Sequence, residues 1–162
     1  MSYVCATCGE AHEGLPDLGF LAPDTYLEVP EAERDARTTL TEDLCTVRAD
    51  DGDHYFIRGL LQLPVHGETE PFGLGVWVSQ SKANFERYAA EEEMSPTFGW
   101  LGNHLPHHEE TTFLLRTRVH FRAGGLRPTI ELEPTSHPLA VEQRCGISLE
   151  RAWAIVHRYS PN

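Results

Sequence analysis

Leu44-Cys45-Thr46-Val47-Arg48, then Asp50-Asp51-Gly52-Asp53, then His54-Tyr55-Phe56-Ile57-Arg58-Gly59-Leu60-Leu61-Gln62-Leu63, is the stretch that decides the fold. β-Branched and aromatic residues fill both flanks, and such residues fit a pleated, half-buried surface. The acidic run between them contains a glycine that takes positive φ without steric cost. The pattern predicts a β-hairpin. Its second strand is long enough to carry a bulge at Gly59, where a missing side chain weakens regular packing. Just downstream, Phe72-Gly73-Leu74-Gly75-Val76-Trp77-Val78-Ser79 predicts a third strand. Leu74, Val76 and Val78 share one face and Trp77 takes the other, as a period of two requires.

Working outward, Thr111 to Ala123 alternates again. Phe113, Leu115, Thr117, Val119 and Phe121 fall on one side, with Arg116, Arg118, His120 and Arg122 on the other. This predicts a half-buried strand. Gly124-Gly125 is a turn, and Arg127 to Glu133 is the hairpin partner with Ile130 and Leu132 inward. Ser81 suits a helix cap before a helix over about 82–93. Met94-Ser95-Pro96 ends that helix, and Thr97 to Asn103 is a short strand or loop. Pro16, Pro23 and Pro30 make 17–30 irregular or extended. Pro30-Glu31-Ala32-Glu33-Arg34 suits a short helix, with proline first and carboxylates facing the positive end of the dipole. Pro134 to Gly146 holds a short helical turn, and Ser148 caps a last helix carrying Leu149, Ala152, Trp153 and Val156 at helical spacing. The expectation is one α+β domain over 1–162, built mainly on an antiparallel sheet with a few flanking helices. Residues 1–16 form an arm with a Cys-x-x-Cys knuckle, and 17–162 form the body.

At 162 residues, with 40% hydrophobic and 23% charged residues, the chain has ordinary globular composition. It carries 25 acidic and 13 basic residues, a formal net charge of -12. That balance repels phosphate backbones and anionic membrane surfaces, because nucleic-acid binding relies on cations that release counterions. It favours a basic protein partner. No apolar run approaches the ~20 residues that span a bilayer. The first twenty residues lack the basic start and apolar stretch of an export signal. The expectation is a cytoplasmic protein with reduced thiols.

The chemistry begins at Cys5-Ala6-Thr7-Cys8-Gly9, followed by His12. Zinc prefers four thiolate or imidazole ligands in a tetrahedron. Cys5 and Cys8 have the spacing of a zinc knuckle, and Gly9 lets its amide approach a sulfur. His12 is placed to be a third ligand and Cys45 a fourth, with Cys145 and His137 next in line. Free thiols or a redox pair compete with zinc; Glu10 and Glu13 disfavour the redox pair by raising thiol pKa.

His104-Leu105-Pro106-His107-His108-Glu109-Glu110 has residues that hold transition metals or move protons, but its proline and polarity predict a solvated loop. Thr135-Ser136-His137-Pro138-Leu139 with Glu142-Gln143-Arg144 offers a general base, His137, oriented by Glu142. The competing role for His137 is a hydrogen bond to backbone at a strand-to-helix corner. The stripe Arg116, Arg118, His120 and Arg122 either pairs with Glu131 and Glu133 across its hairpin or lines a pocket for an acidic ligand. Trp77 and Trp100 read as packing residues. No nucleophile elbow or phosphate-cradling loop is present, and Gly73-x-Gly75 lies within a strand and opens no helix.

Several segments taken in order resemble the bacterial domain-of-unknown-function family 2199. They are the N-terminal Cys pair, Tyr55-Phe56-Ile57-Arg58-Gly59, Phe72 to Ser79, Phe98-Gly99-Trp100-Leu101, Leu126-Arg127-Pro128 and His137-Pro138-Leu139-Ala140-Val141-Glu142-Gln143. The resemblance spans nearly the whole chain and implies one domain, with no activity to transfer. The resemblance implies an aromatic residue and a proline where His107 and His108 stand, so it lends those two no role. The functional expectation is a non-enzymatic binding or accessory protein with a structural zinc knuckle. The alternatives are a small metal- or His/Glu-dependent hydrolase or lyase, and a thiol redox sensor.

Overall fold

The computed structural model describes residues 14–159 throughout, and of residues 1–13 only the backbone of Tyr3–Val4 (β1) and Ala11–His12 (β2). Those two short strands pair antiparallel, Tyr3 opposite His12. Cys5 and Cys8 lie outside the described residues, as does the His12 side chain, and with them the predicted knuckle.

The body begins with β3 (Leu18–Gly19), α1 (Asp24–Glu28), a 3-10 turn (Glu31–Glu33), α2 (Arg34–Arg37) and β4 (Thr38–Leu40). The short helical turn foreseen at Pro30 is there. The segment 17–30 expected to be irregular instead contains a strand and a helix. The deciding hairpin follows as β5 (Leu44–Ala49) and β6 (Gly52–Leu63), with Ala49 opposite Gly52. Gly52 has φ +125°, a backbone conformation that only glycine adopts freely. Next come β7 (Phe72–Gln80), α3 (Lys82–Ala89), β8 (Thr97–Trp100), β9 (Arg116–His120), β10 (Thr129–Leu132), α4 (Pro138–Cys145) and α5 (Leu149–Tyr159).

β6 and β7 pair without interruption from Tyr55 opposite Gln80 to Leu63 opposite Phe72, so there is no bulge at Gly59. The glycine serves a close approach instead. A Cβ there would lie 2.5 Å from Ile130 Cδ1, because β10 runs parallel against β6 with Thr129 opposite Leu60. β3 is also parallel to β7, so the eight-stranded sheet is mixed, with antiparallel pairs in the majority. The expected long strand from Thr111 is shorter than its alternation, because Leu114 takes φ +69° and regular pairing starts only at Arg116. The helix foreseen over 82–93 is capped by Ser81 Oγ, which accepts from Asn84 N at 3.1 Å. It stops at Ala89, and Glu91 with φ +59° turns the chain away.

The sheet follows the order β3-β7-β6-β10-β9-β8 and curls until β8 returns to β7. Leu101 bridges Val78, Gly102 N donates to Trp77 O at 2.7 Å, and Trp100 N donates to Ser79 Oγ at 2.9 Å. This closure pairs what would otherwise be an exposed edge. Inside lie Ile57, Leu61, Val76, Val78, Leu101, Val119 and Ile130, joined by Leu139 of α4 and Trp153, Ile155 and Val156 of α5. On the other face of β6 and β7, Trp77 and Phe56 pack with Val29, Cys45 and Val47. The predicted division of β7 between two faces is therefore what the chain builds. Among the described residues no helix is long and apolar enough to cross a membrane.

Candidate functional site

The loop from Leu101 to Leu115 links β8 to β9 and carries the histidine run. Its entry is held by Asn103, which is fully buried. Asn103 Oδ1 accepts from Trp77 N at 2.9 Å, and Nδ2 donates to Ala22 O at 3.0 Å and to Asp24 Oδ1 at 3.3 Å. Asp24 Oδ2 accepts from His104 N at 2.8 Å. Thr112 Oγ1 donates to Asn103 O at 2.7 Å and accepts from Leu105 N at 2.8 Å, which pinches the loop shut around the buried Leu105. The 104–110 segment is thus a loop solvated only in part: Pro106, Glu109 and Glu110 are exposed, while Leu105 and His108 are buried. Polar residues at its two ends anchor it, and its middle turns inward.

That inward turn brings His108 to 6% exposure. Its Nε2 stands 2.9 Å from Glu142 Oε1 on α4. The other carboxylate oxygen of Glu142 accepts from Arg151 Nε of α5 at 3.0 Å. His107 Nδ1 lies 3.0 Å from the Tyr159 hydroxyl at the end of α5. The two histidine rings are 4.4 Å apart. One loop and two helices therefore meet at five ionisable side chains, His107, His108, Glu142, Arg151 and Tyr159.

The electrostatics follow from burial and neighbours. Burial, helped by His108 and Arg151, pushes the His107 imidazole down to about 4, so it is neutral at physiological pH. Burial alone would raise the Glu142 carboxyl, but His108 and Arg151 outweigh it and hold the group below the usual carboxylate range. Burial raises the Tyr159 hydroxyl, which keeps its proton. His107 Nε2 is buried without a hydrogen-bond partner, and His108 Nε2 and Glu142 Oε1 are buried with only each other at 2.9 Å. Buried polar atoms are nearly always paired, so the unpartnered His107 Nε2 in this corner demands a cause.

The residues singled out from sequence separate here. Glu142 belongs to this corner, but its partners are His108 and Arg151, not His137. His137 caps α4: its Nδ1 accepts from Leu139 N at 3.0 Å, and its Nε2 lies 3.1 Å from Thr111 O. Both ring nitrogens meet backbone, which matches the structural alternative stated for it, and a general base oriented by Glu142 does not match this geometry. Cys45 is fully buried beside Val47, Phe56 and Trp77, and burial pushes its thiol up to about 12. Cys145 is exposed at the end of α4. Among the described residues, the side chains that gather as a potential ligand set are His107, His108 and Glu142, and neither cysteine is among them.

The basic stripe is largely engaged. His120 Nε2 lies 2.9 Å from Glu131 Oε1, Arg122 Nε donates to Arg127 O at 2.7 Å, and Arg116 sits over the Trp100 ring at 5.4 Å. Trp77 is core, and Trp100 is partly exposed against Phe98 on β8. A shallow depression of about 420 Å³ beside β10 and α4 is lined by Gln62, His120, Glu131, Gln143 and Arg144, and lies apart from the His107 corner. Gln143 there mimics a strand partner, accepting from Leu132 N at 2.7 Å and donating to Ile130 O at 2.8 Å.

Sequence reasoning reached His107 and His108 as a metal-capable run but missed Arg151 and Tyr159. Their side chains are nine and 17 positions beyond Glu142, on the last helix, and no local pattern joins them to it. No curated protein and no solved structure matches the chain significantly. A family model does match, over residues 4–147, from the Cys pair to the residue before the cap of α5. The chain belongs to that family, the uncharacterised proteins conserved in bacteria known as DUF2199.

Proposed function

We propose that this protein is a non-catalytic binding or accessory protein. One observation carries the reading: the ionisable groups able to do chemistry are walled in, with His108 at 6% exposure and Glu142 tied to Arg151. A general base has to reach the proton it abstracts in a bound substrate. The wall leaves these groups placed to hold elements together. The acidic surface, with a formal net charge of -12, supplies the attraction for a basic partner, and such steering weakens as salt rises. The zinc knuckle of Cys5, Cys8 and His12 belongs to the same proposal as an anchor for the N-terminal arm. Cys45 suits its fourth position poorly, being held as a thiol among apolar side chains. Cys145 is the exposed alternative.

The test is capture from native lysate on the full chain, followed by a rising salt gradient. Recurrent recovery of a basic protein released by salt supports the reading. Repeated recovery of nothing overturns it. A metal-dependent hydrolase is the second reading, favoured by the His, His and Glu donors, since catalytic sites keep one position for water. Hydrolysis lost on Glu142→Gln in a broad substrate screen would establish it over the first.

A further inference from the structure

We infer that His107, His108 and Glu142 form a binding site for a late first-row divalent cation, zinc foremost. The assignment goes beyond the accessory role and stands whether or not a partner exists. It begins from three buried ligand atoms, His107 Nε2 without a partner, and His108 Nε2 and Glu142 Oε1 with only each other. Each is a good ligand atom and each is buried, and His107 Nε2 lacks the hydrogen bond that burial normally demands. A cation satisfies all three together.

The spacing agrees. One donor atom from each residue lies within 4.8 Å of the other two. Two ligands on one zinc at bonds of ~2.0–2.1 Å stand roughly 3.0–3.4 Å apart. His108 Nε2 and Glu142 Oε1 are already 2.9 Å apart, close to that separation. A modest movement of His107 completes the set. Two imidazole nitrogens and one carboxylate oxygen, with no sulfur, suit zinc and its neighbours better than magnesium or calcium.

The outer contacts point the same way. Metal-bound histidines usually give their other N–H to an oxygen, which fixes tautomer and orientation. In the tautomer whose Nδ1 hydrogen is donated to the Tyr159 oxygen, the lone pair of His107 is on Nε2 and free for an ion. Arg151 occupies Glu142 Oε2 and leaves Oε1 for the ion. Tyr159 and Arg151 are positioning residues on α5, so the ion would clamp the last helix, α4 and the 101–115 loop into one corner.

The experiment uses the full chain without a histidine tag, with Cys5→Ser and Cys8→Ser introduced to remove the knuckle thiols. The probes are Zn²⁺ and Co²⁺ alone. The expected result is one equivalent of Zn²⁺ in competition with a chromogenic chelator, and a Co²⁺ spectrum without a thiolate charge-transfer band. His108→Gln and Glu142→Gln each weaken binding at least tenfold. Tyr159→Phe weakens it about tenfold, in the range for an outer-contact residue. Because His108→Gln risks misfolding, the ring signals of His107 and His108 are also followed by NMR in the unsubstituted chain, and Zn²⁺ shifts both. No stoichiometric binding in the thiol-free chain, binding indifferent to both substitutions (an adventitious ion only), or unmoved histidine signals overturns the assignment. Loss of zinc only with the cysteines would leave the knuckle proposal standing and remove this one.

Discussion

Two buried polar clusters sit on the same loop, four residues apart, and they are built on opposite principles. At Asn103 every polar atom of the side chain is answered: Trp77 N, Ala22 O and Asp24 Oδ1 take up its amide, and Thr112 closes on its carbonyl. At His107 and His108 the cluster is incomplete: His107 Nε2 has no partner, and His108 Nε2 meets only Glu142 Oε1. The first cluster is finished as protein. It converts a polar residue into a rivet between β7, the segment before α1 and the loop. The second is left open at His107 Nε2, where the proposed ion would bind. Fully satisfied networks rigidify a core, and partly satisfied ones are costly.

The contrast breaks most visibly at Asn103. Asn103→Ala strands a buried Trp77 N–H and the Ala22 carbonyl at once. Each unsatisfied group costs ~1–3 kcal/mol, so about 3 kcal/mol of stability should disappear in urea unfolding. The loss should be the same with chelator and with zinc, since this cluster needs no ion. A loss under about 1 kcal/mol would mean that the rivet is dispensable. Thr112→Val keeps the shape but removes the acceptor for Leu105 N and the donor to Asn103 O. About 2 kcal/mol is expected, and the histidine run should become more accessible to hydrogen exchange.

A smaller effect separates His137 from the cluster beside it. Its ring is 5.8 Å from that of His108, near enough to be mistaken for a member. Its bond from Leu139 N makes it a helix cap instead. His137→Ala should therefore cost about 1 kcal/mol, and His137→Asn should restore most of that, because Asn is a preferred cap. Zinc affinity should be unchanged in both. A tenfold loss of zinc with the alanine variant, unrepaired by asparagine, would place His137 in the ligand set and redraw the boundary between the two kinds of cluster.

What the sequence could reveal follows the range of the forces. The β5–β6 hairpin and the two-faced β7 are legible because alternation and turn chemistry are local. So are Ser81 and Ser148 as caps, Ser148 Oγ accepting from Arg151 N at 3.0 Å. Gly59 is misread as a bulge because the reason for a glycine there, Ile130, comes from a strand 70 residues later. The run 104–110 looks solvated because its composition is polar and contains Pro106. Its burial is imposed by Ala22 and Asp24 from one direction and by α4 and α5 from the other. His137 and Glu142 invite pairing because they are five residues apart, but α4 turns them to different neighbours. His108, 34 residues upstream of Glu142, is the partner that only the fold supplies. The mixed character of the sheet is hidden for the same reason, since parallel pairs β3–β7 and β6–β10 join distant segments.

The smallest expected change is the most discriminating. His107→Phe keeps a ring of similar shape and removes the unpaired Nε2, at the expense of the contact between Nδ1 and Tyr159. In metal-free protein these two effects, each about 1 kcal/mol, oppose each other, and the net change should lie near zero. Replacing a polar atom that has no partner should be nearly harmless, whereas replacing Asn103 should not. Zinc then separates the two states of the same corner. The unsubstituted chain gains about 2.7 kcal/mol at free zinc a hundredfold above its Kd, and His107→Phe should gain much less. Thermal melts in chelator and in zinc read both quantities on one sample. A loss of about 2 kcal/mol or more in chelator would show that His107 already has its partner within the folded chain, and the distinction between a finished and an unfinished cluster would dissolve.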